Sequence, residues 1–241
     1  MSVIIKSHYM PSPALWYEIK LEDNYINYLM KIIDESEKEL THNDIRETKK
    51  SLVGNISKSF SVLEQENKTK YFSKKYLSPC IKKWKKEHQG HPVNLESIKP
   101  SCSENDELIE KFELTSFWVN YQYKHEFNPP HTHSGVYSFV IWLKIPYDCK
   151  KEKLNKRFSG TKWDDRKAGD FQFMIPSHSP NKPMIHTHDY ELDESCEGTM
   201  LFFPSTLHHQ VFPFYTSDEN RISMSGNIFF SLKEGKSNDK K

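Results

Sequence analysis

From residue 113 onward the chain reads as one short β-type run after another, with turn residues but no helical period between them. The runs fall at 113–124, 134–145, 170–175, 199–203, 209–214 and 221–232, and each is bounded by Pro, Gly, Asn or Asp. Six consecutive strands with no crossover helices pair antiparallel, so this half of the chain is expected to form a sandwich or a barrel. At 241 residues the protein is long enough to bury a sizeable core, and an aromatic share of 13% supplies much of it.

The first half has a different texture. Two strand candidates, SVII and ALWYEIK, are separated by Pro11 and Pro13. Tyr25, Ile26, Leu29, Met30, Ile32 and Ile33 then recur with helical period, predicting a helix over 21–40. A polar stretch with one short strand near 60–63 leads to a second amphipathic helix over 71–88, bent or interrupted at Pro79, whose lysines form a solvated face. The organisation expected is a helical and loop region, 1–105, packed on a β core, 106–232, with a solvated tail, 233–241.

Charge and cysteine usage narrow the function. Lys and Arg total 34 against 33 Asp and Glu, a net charge of +1, which calls for neither nucleic acid nor an anionic membrane surface as partner. The four cysteines stand at unrelated spacings with no CxxC pair, as expected of reduced thiols in a cytoplasmic protein. No window approaches the ~20 apolar residues of a membrane helix, and the start lacks the pattern of a secretion signal. The protein is expected to be soluble, in the host cytoplasm if it is viral; its oligomeric state is open.

Eight of the twelve histidines lie from His125 onward. His131 and His133 follow a Pro-Pro turn, and residues two apart in a strand point the same way, so the pair can chelate one metal. Neutral imidazole suits iron, zinc, copper and nickel alike, so the pair does not select the ion. A third histidine comes from LHHQVFPF, where His208 and His209 face opposite sides of a strand. In the last strand Arg221, Ser223, Ser225 and Asn227 share one face and Ile222, Met224, Gly226 and Ile228 the other. With the apolar face packed outward, an arginine fork and a hydroxyl look inward, the pieces of a carboxylate cradle. A second pair, His186 and His188, reads as part of a loop with one short strand.

HxH, then His209 78 residues later, then RxS 12 residues on, together with GTMLFFPSTLHHQVFPF and NRISMSGNIFF, resembles the 2-oxoglutarate and Fe(II)-dependent oxygenases. Within that superfamily the likeness is to the phage and bacterial oxygenase group and to prolyl hydroxylases, over 112–232. The resemblance implies a double-stranded β-helix, a jelly-roll or cupin-like barrel, with flanking helices. It implies His131 and His209 as iron ligands, favouring His209 over His208 by its place two residues before Val211. It implies Arg221 and Ser223 on the distal carboxylate of 2-oxoglutarate and Tyr121 hydrogen-bonded to the same cosubstrate. No catalytic group beyond the metal centre is implied; O2 and Fe(II) do the chemistry, 2-oxoglutarate becomes succinate and an aliphatic carbon is hydroxylated. The family pattern has a carboxylate where this chain has His133. A three-histidine site is therefore expected, with Asp189, Glu191 or water as the alternatives for the third position. A peptidyl, prolyl-type substrate is favoured over a small metabolite or nucleobase; a cupin-like three-histidine dioxygenase and a non-catalytic binding module are the rivals.

Overall fold

The computed structural model describes residues 4–9, 14–40, 54–62, 70–92, 108–158, 160, 166–176 and 184–234. In chain order these form β1 (Ile5–Tyr9), β2 (Ala14–Lys20), α1 (Asp23–Glu39), β3 (Lys58–Ser61), a π-wound turn (Ser73–Leu77) running into α2 (Ser78–His88), and β4 (Leu108–Gln122). There follow β5 (Asn128–His131), β6 (Tyr137–Lys144), α3 (Cys149–Lys153), β7 (Phe171–Pro176), β8 (Ile185–Tyr190), β9 (Thr199–Pro204), β10 (His208–Val211) and β11 (Arg221–Glu234). Trp163 and Cys102 lie outside the described residues.

Seven strands make one antiparallel sheet in the order β1-β2-β9-β6-β11-β4-β3, and four make a second, β5-β10-β7-β8. The two faces of the larger sheet bury two separate cores. On one face Tyr17, Ile19, Val119, Phe202 and Met224 pack with Leu29 and Ile33 of α1 and Tyr76 and Trp84 of the second helix. On the other, Trp16, Val140, Trp142, Leu201 and Phe203 meet Phe171 and Phe173 of the smaller sheet. Burial on both faces explains why FVIWL of β6 and MLFF of β9 are apolar throughout instead of alternating.

Three features differ from the sequence expectation. The strand candidates of the N-terminal region form but do not stand apart from the β core, since β2 pairs with β9 and β3 with β4 in the larger sheet. Pro79 does not interrupt the helix, because it sits in the first turn of α2, where its missing N–H is not needed, and the preceding turn is wound wider. In β4 the register jumps from Asn227↔Ser116 to Ile228↔Leu114, so Thr115 is an extra residue. The bulge reverses parity: Phe112 and Leu114 face the helices before it, Phe117, Val119 and Tyr121 after it.

At the edge of the sandwich β1 and β2 meet β8. Trp16 Nε1 donates to the Tyr190 hydroxyl (2.8 Å), while Glu18 pairs with His8 (3.2 Å) and Lys6 (3.0 Å). The His8 contact above all, opposed by burial and helped by Lys6, holds the Glu18 carboxyl down at about 2. A depressed folded-state pKa contributes stability above the unfolded value and loses it as pH falls through the folded one. Native protein should therefore lose about 1 kcal/mol more than Glu18→Gln between pH 5 and pH 2.5, after allowance for solvent screening. Urea midpoints of the two proteins across that range check it; parallel curves would show the pair to be inert.

Candidate metal centre

β5 is an edge strand bonded only to β10, which is why it tolerates Pro129 and Pro130. Its register places His131 directly opposite His209, with ring centroids 4.3 Å apart. The strand ends at His131, and His133 stands beyond it on the turn that crosses to β6. The two histidines of HTH therefore do not share a strand face. They converge because the His133 N–H donates to Ser205 O (2.8 Å), anchoring the turn beside β10. His133 Nε2 lies 3.0 Å from His209 Nε2, and one nitrogen from each of the three rings lies within 4.8 Å of the others.

Backbone carbonyls orient two of the rings. His131 Nδ1–H donates to Pro129 O (2.7 Å) and His209 Nδ1–H to Leu207 O (3.0 Å), which leaves each Nε2 lone pair directed inward. His209 is 3% exposed, walled by Phe171 and Phe203. Burial, reinforced by the neighbouring imidazoles, holds His209 well below its usual value and His133 at about 3. Burial lowers His131 too, against the pull of the Pro129 carbonyl. All three are neutral at physiological pH, the state in which imidazole ligates a metal. The residues present fit a divalent cation.

The alternative donors are engaged elsewhere. Asp189 accepts from Lys167 Nζ (2.6 Å) and Gln172 Nε2 (2.6 Å), and Glu191 pairs with Lys153 (2.7 Å). His208 is exposed on the opposite side of β10. His188 packs on Trp16 and His8 at the sandwich edge, and among the described residues neither it nor His186 joins a metal-capable group.

The arginine strand faces inward as its alternation predicts. Arg221, Ser223, Ser225 and Asn227 lie across from Gln122, Asn120, Trp118 and Ser116 of β4. Ser223, Ser225 and Asn227 line a cavity of about 430 Å³ that also contains the three histidines. Arg221 sits at the end of the same face, 3% exposed, its guanidinium donating to the Tyr147 hydroxyl (2.7 Å) and to Gln122 Oε1. Tyr147 was not a sequence candidate; nothing in KIPYD marks it, and only the fold brings it across 74 residues to Arg221. Trp118 also lines the cavity.

Tyr121 requires a correction. Its side chain points to the helical face, where its hydroxyl donates to Glu37 (3.0 Å) and Lys58 lies over its ring. The parity that puts Trp118 and Asn120 at the cavity puts Tyr121 on the far side of the sheet, so it cannot touch a cosubstrate there.

Residues 116–227 match the family model described as "Putative 2OG-Fe(II) oxygenase". No curated protein matches the sequence. Among solved structures, the chain is similar to a Pseudomonas putida prolyl-4-hydroxylase at 13% identity, covering 95% of this chain and 92% of that one, with a TM-score of 0.46. A second similar structure, a Trichoplax adhaerens prolyl hydroxylase in complex with a peptide fragment of the hypoxia inducible factor oxygen degradation domain, has 13% identity, coverages of 78% and 75% and a TM-score of 0.33. An oxidoreductase of the 2OG-Fe(II) oxygenase family from Burkholderia pseudomallei has 16% identity, coverages of 52% and 46% and a TM-score of 0.32. The matched segment holds all three converging histidines together with Arg221 and the start of its strand, and over these residues the chain is similar to the 2-oxoglutarate and Fe(II)-dependent oxygenases.

Proposed function

We propose that the protein is a hydroxylase that uses Fe(II) and 2-oxoglutarate to oxidise an aliphatic carbon of a peptidyl, prolyl-type residue. The observation that carries this reading is the convergence of His131, His133 and His209 within 4.8 Å. Iron held there would, with O2 and 2-oxoglutarate, supply the oxidising power, the cosubstrate leaving as succinate and CO2 with one oxygen of O2 in the succinate and the other in the new hydroxyl. The chain's own residues hold and shield. The two backbone-anchored Nδ1–H groups keep Nε2 of His131 and His209 aimed at one point, so little reorganisation accompanies binding. Phe171 and Phe203 keep water from the inner side of His209.

Arg221 and Ser223 are the proposed binders of the distal carboxylate of 2-oxoglutarate. Ser223 faces the cavity and Arg221 stands next along the same face. Tyr147 and Gln122 fix the guanidinium in place, so its charge is oriented before the anion arrives. Purified protein with Fe(II), 2-oxoglutarate and O2 should form succinate, and uptake should rise with a prolyl peptide; a protein that neither binds nor turns over 2-oxoglutarate is not this enzyme.

The three-histidine set also favours a second reading, a cupin-like dioxygenase that uses no 2-oxoglutarate, and 2-oxoglutarate dependence separates the two. The role of His133 is tested by two substitutions. His133→Ala should weaken Mn(II) binding at least tenfold, whereas His133→Asp should restore it by supplying an anionic oxygen in place of the imidazole. Calorimetric titration decides; unchanged affinity in the alanine variant would give the third position to water.

A further inference from the structure

Two of the three histidines are aimed through their own rings, by hydrogen bonds from Nδ1 to Pro129 O and Leu207 O. The His133 ring is not; among the described residues its hydrogen-bond partner is His209 alone. His133 also stands outside any strand, between exposed Thr132 and Ser134 on the turn from β5 to β6. A side chain on such a turn reaches a fixed point only if the main chain beneath it is held, because each free residue keeps its conformational entropy.

Much of that hold comes from Ser205, the serine of FPS in GTMLFFPSTLHHQVFPF. It opens the turn from β9 to β10 and is 1% exposed. Its carbonyl accepts from His133 N–H (2.8 Å), its N–H donates to Val136 O (3.0 Å) and its hydroxyl donates to Gly135 O. All three of these groups are thus spent on the turn that carries His133. The other side of the turn rests on β11, where Val136 N–H donates to Ile228 O (2.8 Å). Gly135 fits between because it takes a φ of +88° and has no Cβ, which would meet Ile228 O at 2.7 Å. Leu207, in the same turn as Ser205, supplies the carbonyl that orients His209. One short connection therefore sets two members of the cluster against each other.

We propose that Ser205 is a positioning residue of the metal centre, its hydroxyl clasping Gly135 so that the turn presents the His133 imidazole beside His209 before a cation arrives. Most residues at 205 would make the two backbone bonds; the hydroxyl is what this side chain adds. Ordering the turn during folding spares that entropy when the metal binds, and this is how a residue that touches neither metal nor substrate raises affinity. The proposal rests on the reading of His133 as a ligand.

The test is a double-mutant cycle on the full chain, read by Mn(II) calorimetry. Ser205→Ala should weaken Mn(II) binding about fivefold, the worth of one hydrogen bond, and should cause no further loss once His133→Ala is in place. A serine that serves only the general packing of the turn would weaken both backgrounds alike or neither, and either result overturns the assignment. The unaltered protein gives a second measurement. The His133 backbone amide should be protected from hydrogen exchange without metal nearly as well as with Zn(II) bound; protection that appears only with Zn(II) would mean that the metal orders the turn and Ser205 does not. If Mn(II) binds but His133→Ala holds it as tightly, the positioning role falls and an oxygenase with water in the third position survives. If Mn(II) binds and 2-oxoglutarate does not, the oxygenase reading falls and the cycle still judges Ser205. If Mn(II) does not bind, both fall.

Discussion

His209→Ala should reduce Mn(II) or Fe(II) affinity by at least 100-fold and abolish 2-oxoglutarate-dependent succinate formation. Loss of partners that merely orient a ligand commonly costs ten- to a hundredfold, and here the proposed ligand itself is removed. The imidazole contributes a neutral, pre-aimed nitrogen from the most enclosed position of the cluster, 3% exposed and directly across from His131. The Phe171 and Phe203 rings lie 5.6 and 5.0 Å from the imidazole, so an apolar wall would flank any water that took the place of the lost nitrogen. The neighbouring exposed histidine supplies the control: His208→Ala should leave metal binding unchanged, because His208 faces away from the cavity. Calorimetry on the two variants, with succinate measured in parallel, decides between them. Equal affinities would remove β10 from the metal site.

The largest effect on stability is expected from Gly226→Ala in the centre of β11. An added methyl would meet Phe139 Cζ at 2.5 Å, Phe139 Cε1 at 2.7 Å and the Ser116 carbonyl oxygen at 2.8 Å. Phe139 is 1% exposed and wedged between Phe72 and Phe117, so its ring has nowhere to turn. The carbonyl belongs to the paired backbone of β4 and cannot retreat without breaking the ladder. Overpacking of this kind costs about 3 kcal/mol, which for a chain of this size is a fall of about 6–12 °C in Tm. Gly90→Ala, where nothing lies within 4 Å, should leave Tm unaltered. Ser225 and Asn227 flank Gly226 and line the cavity, so displacement of this strand should also weaken 2-oxoglutarate binding. A Gly226→Ala protein melting with the native one would mean that β6 and β4 are less rigid than their pairing implies.

Much of the site was legible in the chain because strand periodicity is a local property. The inward set Arg221, Ser223, Ser225 and Asn227 follows from alternation in RISMSGNIFF, and the same alternation separates buried His209 from exposed His208. Less was legible where neighbouring strands intervene. The runs in β6 and β9 carry no alternation, because both faces of the larger sheet are covered, so their facing could not be assigned from pattern. Tyr121 was misplaced for a related reason: its family likeness concerned spacing from His131, whereas its direction is set by β4, on whose helix-facing side it lies with Phe117 and Val119.

HTH was read as two imidazoles on one strand face. The chain leaves the strand at His131 instead, and the second imidazole joins the cluster from a turn. By itself the sequence determined which residues of the arginine strand share a face, that His208 and His209 face opposite sides, and that position 133 carries no acid, whereas the choice of His209 came from the family likeness. The tertiary structure alone decided that His131 stands opposite His209, that Tyr147 reaches Arg221 and that Tyr121 turns to the helices. The physical reason is range: side-chain direction along a strand depends on the nearest neighbours in the chain, whereas strand pairing closes loops of 74 to 78 residues and is settled only by how the two sheets bury their common core.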